Sequence, residues 1–209
     1  MMAYLVLVRH GQSEWNLLGQ WTGLTDVELT DEGRAEARRA GKTLEDINLH
    51  KAYTSQLRRA KHTLDEIVEH LDRHDLERAE HAELNERDYG ELTGKNKWQV
   101  KEEYGEEKFM QWRRSWDHPV PGGETLKDVS GRVLPFYEEH ILRDLKDGRN
   151  VIVAAHGNSL RALMKHLEKI EDDKSHEVEI MTGEVLVYEI SEDGDLIKKE
   201  IRLTNSNKV

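Results

Sequence analysis

Ala3-Tyr4-Leu5-Val6-Leu7-Val8-Arg9-His10-Gly11 at the start of the chain and Val151-Ile152-Val153-Ala154-Ala155-His156-Gly157-Asn158-Ser159 much later follow one plan. Each is an unbroken apolar run that gives way to a His-Gly pair. A strand with one wet face alternates apolar and polar residues. A continuous run of five or six is expected instead of an inner strand covered on both faces. Both runs are far too short for a membrane helix, which needs about 20 apolar residues.

Around these runs the apolar spacing changes to three and four. Leu57, Ala60, Leu64, Ile67, Val68 and Leu71 predict an amphipathic helix with Ser55 as its N-cap, following a short strand at 52–54. Thr30 with Asp31 and Glu32 opens another helix, its acids placed at the positive end of the dipole. Leu126, Val129, Val133, Phe136 and Tyr137 predict a third over about 124–145, kinked at Pro135. Leu160, Leu163, Met164 and Leu167 place a fourth directly after the second run. Segments 184–190 and 196–203 flank Asp193-Gly194, a hairpin signal. Strands alternating with helices define an α/β fold, a three-layer α/β/α sandwich with a mostly parallel central sheet. No linker, repeat or low-complexity tract divides it, so 1–209 reads as a single domain. Sheets of this kind bind ligands at the C-terminal ends of their strands, which directs attention to the residues just past Val8 and Ala155.

The 209 residues carry 42 acids against 31 bases, a formal net charge of −11. Such an excess disfavours nucleic acid and anionic membranes as partners, and at first sight a phosphorylated substrate too. Without any cysteine there are no disulfides, thiolate nucleophiles or zinc–thiolate sites. No basic segment precedes an apolar one at the N-terminus, so a cytoplasmic location is expected.

Two His-Gly pairs are about what chance provides in this composition; their positions, each directly after a buried strand, are what make them informative. The second also opens a helix, whose free backbone N–H groups favour an anion. Metal ligation is not indicated, because no acid or third histidine stands at a ligand spacing such as HExxH. An imidazole is substantially unprotonated near neutrality and can attack phosphorus. A guanidinium beside it would hold the phosphoryl oxygens. Arg9 is the neighbour in sequence, although its contact requires the strand to have ended by Arg9. Arg59, one turn into the helix after 52–54, is a second candidate.

Leu7-Val8-Arg9-His10-Gly11-Gln12-Ser13-Glu14-Trp15-Asn16 resembles the signature of the histidine phosphatase superfamily. The chain looks most like the compact form of its 2,3-bisphosphoglycerate-dependent phosphoglycerate mutase branch. Further matches are Thr22-Gly23, Tyr53-Thr54-Ser55 with Arg59-Ala60, Leu84-Asn85-Glu86-Arg87-Asp88-Tyr89-Gly90, Asn96-Lys97, Gln111-Trp112-Arg113-Arg114, and Ala154 to Leu163. They run in order over nearly the whole chain, the Asn-Glu-Arg and Trp-Arg-Arg blocks being the most discriminating. The resemblance implies a phosphoglycerate mutase-like fold with a helical lid insertion at about 86–121. It implies a metal-independent enzyme that interconverts 3- and 2-phosphoglycerate in glycolysis and gluconeogenesis, primed by 2,3-bisphosphoglycerate. His10 would be the nucleophile, and His156, Arg9, Arg59 and Asn16 would hold the transferring phosphoryl group. Glu86 would exchange the proton of the substrate hydroxyl. Ser13, Thr22, Gly23, Arg87, Tyr89, Lys97, Arg113, Arg114, Gly157 and Asn158 would complete the substrate site. Trp98, Trp112 and Trp116 read as packing for the lid.

Longer members of the branch carry roughly twenty more residues after the paired arginines, whereas here only Ser115 to Pro121 lead to Gly122-Gly123-Glu124. A similar turn occurs in related phosphatases, so a histidine-type phosphatase or bisphosphoglycerate synthase is the alternative, and a monomer or small homo-oligomer is expected. A non-catalytic phospho-ligand module is disfavoured, having no use for His10, Glu86 and His156 together. The tail after Leu203 is short, which is expected to admit water and give measurable phosphatase leakage. Arg9, Arg59, Arg87, Lys97, Arg113 and Arg114 around Glu86 would make a pocket of net +5 in a chain whose remainder is −16. An acidic exterior with a cationic cleft excludes polyanions yet admits small phosphorylated carboxylic acids.

Overall fold

A computed structural model describes residues 2–203; the tail discussed above, 204–209, lies outside the described residues. In chain order the elements are β1 (Ala3–Arg9), α1 (Glu14–Leu17), α2 (Asp31–Lys42), β2 (Lys51–Thr54), α3 (Arg58–His70) and β3 (Glu77–Glu80). They continue with α4 (Lys97–Tyr104), α5 (Glu106–Arg114), α6 (Leu126–Phe136), α7 (Leu142–Lys146), β4 (Val151–Ala155), α8 (Gly157–Leu167), β5 (Val185–Ile190) and β6 (Leu196–Leu203). The strands form one sheet in the order β3-β2-β4-β1-β5-β6. The first four in that order are mutually parallel, β5 is antiparallel to β1, and β6 is antiparallel to β5.

The two continuous apolar runs lie at the centre of this sheet, for the reason their pattern implies. Leu5, Leu7, Val151, Val153 and Ala155 face one core with Val129 and Val133 of α6 and Leu160 and Leu163 of α8. Val6, Val8, Ile152 and Ala154 face another with Ala40 of α2 and Leu64 and Ile67 of α3. Both faces are covered, so every position can be apolar. Parallel pairing aligns Leu5 with Val151 and Arg9 with Ala155. His10 and His156, the next residues, therefore emerge side by side, and the His10 amide donates to the Ala155 carbonyl at 2.9 Å.

Several local expectations need correction. Ser55 does not cap α3; the helix begins at Arg58 with Leu57 in the cap position, and the Ser55 hydroxyl accepts from the Leu57 amide at 3.2 Å. The expected 124–145 helix is three pieces: α6, capped by Thr125, a π turn over Tyr137–Ile141, and α7. Pro135 has no N–H to give the helical ladder, and the wider turn follows it directly. Strand β1 continues through Arg9 rather than ending before it. The edge strand β3, Glu-Arg-Ala-Glu, carries no apolar run that could have announced it.

Segment 86–121 packs on the loop that carries Trp21, where Leu92, Val100, Phe109, Trp112 and Val120 form a small core around that ring. Trp21 N donates to Lys95 O at 3.0 Å, and Gly94 N donates to Trp21 O at 2.8 Å. Trp112 is buried there, whereas Trp98 is half exposed and packs little. The two ends of the segment are stitched together. Glu91 N donates to Pro121 O at 2.9 Å and Glu124 N to Asp88 O at 2.8 Å. A Cβ on Gly90 would lie 2.2 Å from Pro121 O, so only glycine fits this crossing.

Candidate active site

His10 is buried against His156, with ring centroids 5.0 Å apart. The His10 Nδ1 lies 2.7 Å from the Gly11 carbonyl oxygen. A carbonyl only accepts, so Nδ1 carries the proton and Nε2 keeps its lone pair. Burial, then the charges of Arg59 and Arg9, hold the His10 imidazole well below its ordinary pKa, so it is an unprotonated nucleophile at neutral pH. Burial and the Arg59 charge lower His156 likewise. Its Nε2 meets the Ser55 hydroxyl at 2.7 Å, a contact that orients the ring.

Arg9 reaches this pair by the length of its side chain. Its guanidinium extends over Gly157, where a Cβ would stand 3.6 Å from it, and Nη1 donates to Ile180 O at 2.8 Å. Arg59 is fully buried behind the histidines and donates to Thr25 O and Gly23 O at 2.9 and 2.8 Å. This fastens the Thr22–Gly23 loop to α3. The Nε atoms of both arginines are buried without a protein partner among the described residues. Unpaired buried donors on two guanidinium groups whose charge acts on His10 are what an anion would satisfy. Ser13 is buried and caps α1; its amide and hydroxyl both donate to Asn16 Oδ1, at 3.1 and 2.9 Å, which orients the Asn16 amide.

Glu86 is the buried acid of the site. Its Oε1 accepts from the Arg87 amide at 2.8 Å and from both the amide and the side chain of Asn158 at 3.1 Å. Burial alone would raise its pKa, but these hydrogen bonds and the charges of Arg9 and Arg59 outweigh it and keep the carboxyl ionised. Asn158 is itself held, giving a hydrogen bond to Tyr89 Oη at 2.8 Å and taking one from Arg161 Nη1 at 2.9 Å. Arg132 of α6 fixes the same segment from behind, donating to the Asn85 and Glu86 carbonyls at 3.0 and 3.1 Å while paired with Glu124.

In front of Glu86 the cleft is lined by Arg9, Tyr89, Lys97, Arg113, Arg114, Gly157, Asn158, Arg161 and Glu179. A second compartment shares Arg9, Lys97, Arg113 and Glu179 and adds Gln12, Asn16 and Trp98. Of the six bases expected to converge, Arg9, Lys97, Arg113 and Arg114 line the cleft; Arg59 is sealed beneath it, its charge acting on the two histidines, and Arg87 is turned away. Arg87 is fully buried beneath Tyr89, 4.5 Å from the ring centroid, and gives Nη2 to Trp112 O at 2.6 Å. It supports the core around Trp21 instead of facing the cleft. Arg161 and Glu179 face the cleft in its place. Neither they nor Arg132 and Ser55 were identified from sequence as site residues, although Arg161 lies one helical turn after Asn158, a spacing that puts both on one face.

Lys97 is the cleft cation brought nearest to neutral pH. Burial, then the charges of Arg9 and Arg113, push its pKa down to about 8. A bound phosphate would reverse part of that by stabilising the ammonium. Ligand binding at pH 8 is therefore expected to take up roughly half a proton, falling toward zero at pH 6.5, where Lys97 is already charged. Calorimetric titration with 3-phosphoglycerate in two buffers of different ionisation enthalpy measures the uptake, and Lys97→Met should lack it. Among the described residues no group of three or more His, Cys, Asp or Glu side chains is placed to hold a metal ion.

Residues 5–201 match the family described as histidine phosphatase superfamily (branch 1). A Bradyrhizobium diazoefficiens protein named 2,3-bisphosphoglycerate-dependent phosphoglycerate mutase is 48% identical over 197 residues, covering 93% of this chain and 95% of its own. One of the same name from Cytophaga hutchinsonii is 49% identical over 195 residues, covering 93% and 91%. Among solved structures, a mycobacterial glucosyl-3-phosphoglycerate phosphatase in complex with VO3 superposes with a TM-score of 0.83 at 24% identity, covering 95% of this chain and 98% of that one. YhfR of Bacillus stearothermophilus superposes at 0.82 with 26% identity, covering 93% and 94%.

Proposed function

The chain belongs to the histidine phosphatase superfamily, and within it we propose a 2,3-bisphosphoglycerate-dependent phosphoglycerate mutase that interconverts 3- and 2-phosphoglycerate in glycolysis and gluconeogenesis, in the cytoplasm. The observation that carries the reading is a buried, unprotonated His10 under the charges of Arg9 and Arg59, with Arg9 and the ionised Glu86 lining one cleft together with Lys97, Arg113, Arg114 and Arg161. A simple phosphatase needs cations for one phosphate. This cleft has enough for two phosphates and a carboxylate, which fits relatives near 48% identity bearing the mutase name better than the more distant phosphatases.

The primer supplies the phosphoryl group that His10 Nε2 carries in the active enzyme. With 3-phosphoglycerate bound, the N–P bond breaks as the substrate's 2-hydroxyl oxygen bonds to phosphorus, and Glu86 accepts the hydroxyl proton. Arg9, Arg59, Asn16 and His156 hold the three phosphoryl oxygens throughout, stabilising the charge in transit. The doubly phosphorylated acid must then turn over within the cleft, retained by Lys97, Arg113, Arg114 and Tyr89, with Thr22, Gly23, Ser13, Gly157 and Asn158 shaping the walls. His10 Nε2 next takes the 3-phosphoryl group, Glu86 returns its proton to the freed oxygen, and 2-phosphoglycerate leaves. Segment 86–121 acts as the lid that keeps water out in the meantime.

Conversion of 3- to 2-phosphoglycerate, assayed with and without 2,3-bisphosphoglycerate and in the presence of EDTA, tests the reading. Isomerisation is expected to depend on the primer and to be indifferent to EDTA. Phosphate release without isomerisation would assign the chain to a phosphatase, and loss of activity in EDTA would overturn the metal-free mechanism.

A further inference from the structure

The cleft holds a carboxylate where an anion is expected to bind. Glu179 lies in the loop before β5 and pairs with Arg114, and it lines both compartments of the cleft. The loop is held there by the cleft's own arginines. Arg161 Nε donates to the Val178 carbonyl at 2.8 Å, and Arg9 Nη1 to the Ile180 carbonyl at 2.8 Å. Val178 and Ile180 are buried, so the intervening side chain is turned outward toward the cations. Burial would raise the Glu179 pKa, but the Arg114 hydrogen bond and the charges of Arg114, Arg113 and Arg9 hold it below the ordinary glutamate range. The carboxylate is ionised at neutral pH.

We propose that Glu179 is a specificity-determining residue: a built-in counter-anion that a bound ligand must displace from Arg114 and that weakens the hold on the ligand of highest charge. The inference rests on the mutase reading and adds to it a control on how long the doubly phosphorylated acid stays in the cleft. A ring of cations without a counter-charge would bind that acid, of about −5 charge, much more tightly than a monophosphate of about −3. Retention would then become trapping. A fixed negative charge opposes both ligands, and opposes the more highly charged one more strongly, so that product release and exchange with free primer stay fast. Glu86 has a different role: its Oε1 accepts from Asn158 and the Arg87 amide rather than from an arginine that a ligand must free, and its carboxylate exchanges the proton of the substrate hydroxyl.

Glu179→Gln tests this, because the amide keeps an acceptor for Arg114 and removes only the charge. Dissociation constants for 2,3-bisphosphoglycerate, 3-phosphoglycerate and inorganic phosphate are measured by calorimetry on the wild-type chain and the variant. The primer concentration giving half-maximal isomerisation is measured alongside. Binding of 3-phosphoglycerate is expected to tighten about 5-fold and that of the bisphosphate about 15-fold, in proportion to ligand charge in the exponent. Inorganic phosphate should change about 2-fold or less, and the half-maximal primer concentration should fall with the bisphosphate constant. Equal shifts for all three ligands, unchanged binding, or weaker binding of the bisphosphate would overturn the proposal and leave Glu179 as an anchor for Arg114. If the wild-type chain binds no bisphosphoglycerate, the mutase reading fails and the proposal with it; binding and isomerisation with an affinity ratio of one sink the proposal alone.

Discussion

Replacing His10 by alanine is expected to reduce isomerisation by at least about 10⁴-fold and to abolish the mass gain seen when the wild-type chain is exposed to 2,3-bisphosphoglycerate. The other candidates among the described residues are less available: the Nε2 of His156 is engaged by Ser55 and its ring is fully buried, and Lys97 is largely charged at neutral pH. The variant should fold. It loses a buried ring between two cations, a change of about 1–3 kcal/mol at most. Its pH dependence offers a second check. His10 has a lower pKa folded than unfolded. Its contribution to stability is therefore present above the unfolded value of about 6.5 and is lost progressively as pH falls from there toward the depressed folded value. Below pH 6.5 the melting temperature of His10→Ala should fall less steeply than that of the wild type. The same shift keeps the nucleophile free on acidification, so phosphoryl uptake should not decline between pH 7.5 and 6.5 for want of unprotonated imidazole. Retained activity in the variant would overturn the assignment of His10.

Gly33→Ala should cost at least about 3 kcal/mol of stability, a drop in melting temperature on the order of 10 °C for a chain of this size. The loop that follows His10 lies directly on the first turn of α2. A Cβ on Gly33 would stand 2.1 Å from Gln12 O, and one on Gly11 would stand 2.1 Å from Gly33 O. Backbone meets backbone at both points, so no side chain can swing aside. Thr30 secures the contact, its amide donating to Gln12 O at 2.9 Å and its hydroxyl to Gln12 Oε1 at 3.0 Å. Any shift that accommodates a methyl group moves the loop carrying His10, and a displacement near 1 Å costs about 10²-fold in rate. Gly131→Ala is the control. It adds the same methyl group in the interior of α6, where nothing lies within 4 Å of the new Cβ, and should stabilise by about 0.5–1 kcal/mol. Equal melting temperatures for the two variants would refute the packing argument.

The parts of this protein legible in its sequence are those fixed by patterns along the chain. Strands β1 and β4 announce themselves because covering both faces makes them continuously apolar, and their pairing brings His10 to His156. The hairpin of β5 and β6 is read from Asp193-Gly194 for a similar local reason. Strand β3 is missed because an edge strand made of Glu, Arg and Ala has no such pattern. Within the site, charge type is legible but direction is not. Arg87 and Arg113 look alike in sequence, yet one is sealed under Tyr89 and the other faces the cleft. Ser55 and Arg132 act on partners 101 and 46 residues away, and Glu179 on one 65 residues away. No local rule reports contacts of that range.

The joint at Gly90, Pro121 and Gly123 has a consequence for how such an enzyme can diverge. The chain leaves and re-enters the sandwich through one backbone crossing, so a change of length beyond it is not passed along the chain to β1 and β4. The stretch between is a unit whose remaining ties are to residues such as Gly19, Trp21 and Arg161 rather than to the sheet. Its length and its cations, Lys97, Arg113 and Arg114, can be traded for those of a cousin while His10, His156 and the buried Arg59 stay in register. Substrate choice and phosphoryl chemistry are thereby free to evolve at separate rates.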